Sequence, residues 1–139
     1  MAKRAALAVV TVFICWAVVD FVIHGILLQT SYVETADLWR PMAEMKMGLT
    51  YIVTFISAVV FVLIYALFFG KKGPGTGLAY GGLFGLGAGI SMGYGTYSVQ
   101  PISYMMALTW FLGSLVEGVL AGLIVGAIVK DDVQVASPS

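Results

Sequence analysis

Four long apolar runs, near residues 5–28, 47–69, 77–99 and 102–129, occupy most of this chain of 139 residues. A helix of about 20 apolar residues is long enough to cross the hydrocarbon core of a bilayer. Within hydrocarbon, an isolated spanning segment satisfies its own backbone only as a helix. A soluble domain would need polar cover, and only 10% of these residues are charged, against about 25% in an average soluble domain. The fold expected is therefore all-α: one integral membrane domain over residues 1–130, built as a four-helix transmembrane bundle with helices near 5–28, 41–69, 77–99 and 102–129. The last nine residues, 131–139, read as a disordered cytoplasmic tail.

The first run has the short basic start of a signal peptide, Lys3-Arg4, but its apolar stretch is too long and no small-x-small cleavage site follows. It reads as an uncleaved helix. The single cysteine, Cys15, sits in the middle of that helix and reads as packing. If the helices alternate, Lys3, Arg4, Lys71, Lys72 and Lys130 share one side, and Arg40 and Lys46 share the other. The excess of positive charge places both termini in the cytoplasm, in a multi-pass protein of the bacterial inner membrane. The one long connection, residues 29–46, then lies outside; Tyr32, Leu38 and Trp39 suit an interfacial segment. Pro41 suits the first position of the second helix.

Glycine is the common residue of the third run, and its spacing is regular. Gly77, Gly81, Gly85, Gly89 and Gly93 recur every four residues, and Ser114, Gly118, Gly122 and Gly126 repeat the pattern in the fourth run. Small residues four apart leave a shallow groove that lets a second backbone approach closely, the usual basis of helix association in lipid. The partner is the neighbouring helix, another subunit, or both. A nucleotide-binding loop is not indicated, because no strand precedes these glycines and no basic residue follows.

Three ionisable side chains interrupt the apolar runs: Asp20 and His24 in the first, Glu117 in the last. An acid at the bilayer centre costs about 2.5–3.5 kcal/mol on insertion scales, so such residues face a partner or a cavity. At about 1.5 Å of rise per residue, Asp20, Glu117, Thr54, Ser57 and Ser91 all fall roughly 18–22 Å from the cytoplasmic ends. This predicts an intramembrane polar layer of Asp20, His24, Thr54, Ser57, Ser91 and Glu117. Asp20 and His24, four apart, share a helix face. The layer has two readings. It locks helices together through hydrogen bonds, or it handles protons or cations, since desolvation and a second carboxyl both disfavour the charged form of an acid.

Met42, Met45, Met47, Met92, Met105 and Met106 map to the outer half, but no Met-x-Met array with His or Cys accompanies them, so no metal site is assigned. No catalytic residues and no cofactor are assigned, and the absence of a basic surface excludes a nucleic-acid partner. The expected partners are the lipid bilayer and other membrane helices, from copies of the chain or from other subunits. The function expected is that of a small non-enzymatic accessory or structural subunit of a membrane assembly. The alternative is a small homo-oligomeric proton- or cation-coupled transporter using Asp20, His24 and Glu117. By architecture the chain resembles the small multidrug-resistance transporters in its four helices, its acid in the first helix and its small residues in the fourth. That resemblance implies a proton-coupled homodimer. The chain departs from it in length, in its long first loop and in its clear charge bias.

Overall fold

A computed structural model describes residues 1–131. The expected tail, apart from Asp131, lies outside the described residues. Helix α1 spans Ala2–Asp20 and continues as a π-helical stretch, Phe21–Leu27. The long connection holds a short helix, α2 (Gln29–Glu34), and two 3-10 turns, Ala36–Leu38 and Met42–Glu44. Helix α3 spans Met47–Phe68. Helix α4 spans Pro74–Gly89 and passes through a second π-helical stretch, Ile90–Gly95, into α5, Thr96–Val99. Helix α6 spans Tyr104–Ile128. The described residues contain no strand. Among the described residues, three helices are long and apolar enough to cross a membrane: Ala2–Leu27, Met47–Phe68 and Tyr104–Ile128.

The second long helix starts at Met47, six residues later than expected. Pro41 has the fixed φ of a helix start, but its ψ of 145° is extended. Met45 is extended again at ψ 129°, so the turn between them cannot propagate into α3. It is Pro74 that occupies the first turn of a helix, where its missing N–H costs nothing. Ser103 caps α6 by accepting a hydrogen bond from the Met106 N–H at 3.2 Å.

The closest packing in the molecule runs between α4 and α6, which are antiparallel. Every small residue of the α4 row faces backbone. A Cβ built on Gly77 would strike the carbonyl oxygen of Gly122, and one on Gly81 the carbonyl oxygen of Gly118. Further along, a Cβ on Gly85 would lie 2.6 Å from the Ser114 oxygen and one on Gly89 2.7 Å from the Phe111 oxygen. A Cβ on Gly93 would collide with the Ala107 oxygen. Gly118, Gly122 and Gly126 return the same constraint onto Gly81, Gly77 and Gly73. Gly82 and Gly87, off this row, have open space where a Cβ would go.

The remaining helices join this pair unequally. Helix α3 buries Ala58, Phe61, Val62, Tyr65 and Ala66, all in its second half. There Phe61 packs edge-on to Trp16 at 5.5 Å and to Phe84 at 5.0 Å, and lies 4.5 Å from Tyr80. Tyr80 donates to the Phe61 carbonyl at 3.0 Å. The Tyr65 hydroxyl closes the 69–73 turn, accepting from the Gly73 N–H and donating to the Gly73 carbonyl. Asp131 caps that turn from the far end of the chain by accepting from the Lys72 N–H at 3.0 Å. A second cluster, Ile23, Leu28, Ile102, Met106 and Ala107, sits at the opposite end, beneath the long connection.

The α4–α6 contact generates a direct expectation. Gly81→Ala and Gly122→Ala force two backbones apart and should lower stability by about 1–3 kcal/mol, the usual range for overpacking. Gly82→Ala and Gly87→Ala should leave it nearly unchanged. Thermal unfolding in one detergent checks this, and equal melting temperatures for all four variants would refute it.

Candidate functional site

Three residues of α6 at helical spacing, Trp110, Gly113 and Glu117, form the face turned toward α1, and Ser114 sits between that face and the α4 contact. The packing of α6 on α4 fixes that face. Gly113 lets the first helix come close: a Cβ there would collide with Cδ1 of Ile23. At this level α1 changes from α to π geometry, and the Leu28 N–H reaches back five residues to the Ile23 carbonyl at 2.9 Å. The second π-helical stretch, Ile90–Gly95, lies across the same space and supplies Met92. π-Helical turns occur frequently where a helix aims side chains at a site.

Between these elements lies a pocket of about 80 Å³, lined by Asp20, Ile23, His24, Met92, Trp110, Ser114 and Glu117. It has room for a few waters or a small cation. Alongside Asp20, the pocket is lined by Glu117. Its Oε1 is buried and has no hydrogen-bond partner among the described residues. His24 Nε2 lies 3.7 Å from Asp20 Oδ1, with 45% of the histidine side chain and 39% of the aspartate side chain exposed. The pocket therefore reaches the surface on the Asp20–His24 side and ends at the buried Glu117 oxygen.

The hydrogen bond that ties α1 to α6 beside the pocket leaves these carboxyls free. Trp16 donates its indole N–H to the main-chain carbonyl of Glu117 at 3.0 Å. That tie is indifferent to the side chain at position 117.

Over the pocket, the long connection folds back as an aromatic cover. Tyr32 Oη is 2.6 Å from His24 Nδ1 and accepts from Trp110 Nε1 at 3.1 Å. Trp39 stands edge-on to both Tyr32 and Trp110, at 5.3 and 6.1 Å, and donates to Thr35 Oγ1 at 2.9 Å. Burial pushes the Tyr32 phenol above its ordinary pKa; the Trp110 N–H opposes that rise and the Asp20 charge adds to it. Tyr32 therefore stays a neutral hydroxyl at physiological pH.

Of the six residues expected in the polar layer, Asp20, His24 and Glu117 come together. Thr54, Ser57 and Ser91 do not line the pocket. Thr54 donates to the Thr50 carbonyl of its own helix at 3.1 Å, while Ser57 and Ser91 are exposed. Residue count along a helix estimates depth and says nothing about azimuth. Ser57 lies on an exposed face of α3, and Ser91 lies between Gly89 and Gly93, which face α6. Ser114, assigned only to the small-residue row, lines the pocket as well. Tyr32 and Met92 were not recognised as site residues. For Tyr32 the available signal was its spacing of eight from His24, two helical turns, beside a second aromatic at Trp39.

The six methionines scatter: Met106 is fully buried, Met92 lines the pocket, and Met42 and Met105 are exposed. Among the described residues, no three His, Cys, Asp or Glu side chains converge tightly enough to hold a metal ion. No protein-family model, no curated protein and no solved structure matches this chain.

Proposed function

We propose that this is a multi-pass membrane protein with four spans and cytoplasmic termini, whose Asp20–Glu117 pocket takes up protons or a small cation. The observation that carries this reading is the buried Glu117 oxygen, which belongs to a pocket shared with a second acid and has no hydrogen-bond partner among the described residues. A carboxylate serving only as a lock would be saturated by donors from neighbouring helices. Here the inter-helix bond goes to the backbone of Glu117. Two acids around one pocket repel when both are charged, and a proton or a cation relieves that repulsion. The volume supports a small ion over a drug-sized cation, since pockets for the latter run to about 300–1,000 Å³.

The fourth span is supported by packing. Pro74–Val99 is helical throughout and lies antiparallel along α6 for most of its length. A segment so seated shares the depth of the helix it packs on. With four crossings, the charge excess of Lys3, Arg4, Lys71, Lys72 and Lys130 favours cytoplasmic termini, in keeping with a bacterial inner membrane.

A second reading, an accessory subunit docking other membrane helices, is favoured by the first half of α3. Its residues 47–57 are exposed apart from Thr54, although Phe55 still touches Phe13 edge-on at 5.6 Å. The two readings are compatible, since a proton site often serves a larger assembly.

Infrared difference spectra on a pH step, with the protein in bilayers, test the pocket without knowledge of a substrate. The wild type should show a protonated-carboxyl band that changes with pH. Glu117→Gln and Asp20→Asn should each alter or remove it, with melting temperatures within a few degrees of wild type. Trp16→Phe should behave in the opposite way, keeping the band and losing about 1 kcal/mol of stability with its hydrogen bond. A wild type with no titrating carboxyl band, or Gln and Asn variants that fail to assemble while Trp16→Phe is silent, would return the acids to a structural role.

Topology is checked separately. In a Cys15→Ala background, a cysteine at Glu34 should react with a membrane-impermeant thiol reagent applied from outside, and one at the exposed Gly75 should not. The reversed pattern would overturn the orientation.

A further inference from the structure

The hydrogen-bond inventory at Tyr32 leaves little freedom. An indole N–H only donates, so Trp110 must donate to the Tyr32 oxygen across their 3.1 Å contact. The phenol has one hydrogen of its own, and among the described residues its other hydrogen-bonded neighbour is His24 Nδ1 at 2.6 Å. If Nδ1 carried a proton, it too would have to donate to that oxygen, and the phenol hydrogen would be left without an acceptor. If Nδ1 is bare, all three groups are satisfied: Trp110 donates to Tyr32, and Tyr32 donates to His24. A neutral imidazole with bare Nδ1 carries its proton on Nε2. Nε2 is the nitrogen that faces Asp20 Oδ1, 3.7 Å away.

We infer that Tyr32, delivered by the long connection, is a positioning residue that fixes the tautomer of His24 and so turns an Nε2–H toward the Asp20 carboxyl. At 3.7 Å the contact is too long for a hydrogen bond and short enough for the N–H dipole to orient the carboxylate. The phenol is itself held in place. Trp39 stands against it edge-on at 5.3 Å, and the His24 ring stacks on it at 5.9 Å with 29° between planes. The titratable groups around His24 are Asp20 on its own helix, Tyr32 from α2 and Glu117 from α6. Its remaining neighbours in the pocket, Ile23, Met92, Trp110 and Ser114, do not titrate. The outer connection thereby acts on the pocket through one ring. What the pocket does with that N–H rests on the proton or cation reading, but the tautomer itself does not.

His24 is the chain's single histidine, so its ring nitrogens can be read without assignment by nitrogen-15 magnetic resonance on histidine-labelled protein in bilayers. At mildly alkaline pH the wild type should show one species, with Nδ1 bare and Nε2 protonated. Tyr32→Phe removes the donor to Nδ1, and Trp110→Phe frees the phenol oxygen to accept from it. Either variant should raise the Nδ1-protonated population several-fold, and if one fails to fold the other decides. A wild type with Nδ1 protonated, an even mixture of tautomers in the wild type, or an unchanged ratio in both variants would overturn the inference. The carboxyl infrared band reports independently. A fixed tautomer with no titrating carboxyl would sink the proton reading and leave the role of Tyr32 standing, and the converse holds as well.

Discussion

Everything at the pocket depends on how closely α4 and α6 approach. Their backbones meet at Gly77, Gly81, Gly118 and Gly122 with no side chain between them, and added Cβ atoms at these positions would fall on carbonyl oxygens. In a lipid environment no hydrophobic gain draws helices together, so contact of this kind carries the association. It also settles rotation. With the small-residue row of α6 turned to α4, Trp110, Gly113 and Glu117 are left facing α1. A helix with bulkier residues in that row would stand off by the width of a side chain and lose this register.

The first helix then meets α6 on terms set by two residues. Gly113 makes room for Ile23, and Trp16 reaches the Glu117 carbonyl. Between these contacts the change from α to π geometry widens the helix and presents Asp20 and His24 to the gap. The molecule thus separates two jobs that the sequence runs together. Inter-helix adhesion is assigned to backbone and indole, while the carboxyls line a pocket in which one Glu117 oxygen has no partner among the described residues. Burying an acid without a partner is costly, and that cost is hard to account for in a residue whose only task is adhesion.

The two ends of the fold are built differently. At the end with the 69–73 turn, Trp16, Phe61, Tyr65 and Tyr80 form a continuous aromatic cluster with the more exposed Phe84 on its edge, and Tyr65 and Asp131 hold the turn. At the other end the first half of α3 is exposed, and the long connection brings Tyr32 and Trp39 over the pocket against Trp110. The long connection is therefore the element through which events outside the pocket would reach it. Tyr32 is the point of contact.

The sequence by itself determined the helical class, the small-residue rows and the three ionisable residues. Each follows from local chemistry that context barely alters: apolar length, four-residue spacing, and the cost of charge in an apolar run. Three helices of spanning length are present, and the acids and the histidine do share one pocket. Tertiary structure alone decided which small residues of two rows oppose each other, and that the partner of α4 is α6 of the same chain. It alone excluded Thr54, Ser57 and Ser91 from the pocket, because rise along a helix is fixed by residue count while rotation about the axis is fixed by what the helix packs on. It alone moved the start of α3 from Pro41 to Met47, where extended backbone at Met45 separates turn from helix. It also brought Tyr32 onto His24. That contact depends on how an irregular connection folds back over α6, and no periodicity in the sequence encodes the path of such a loop.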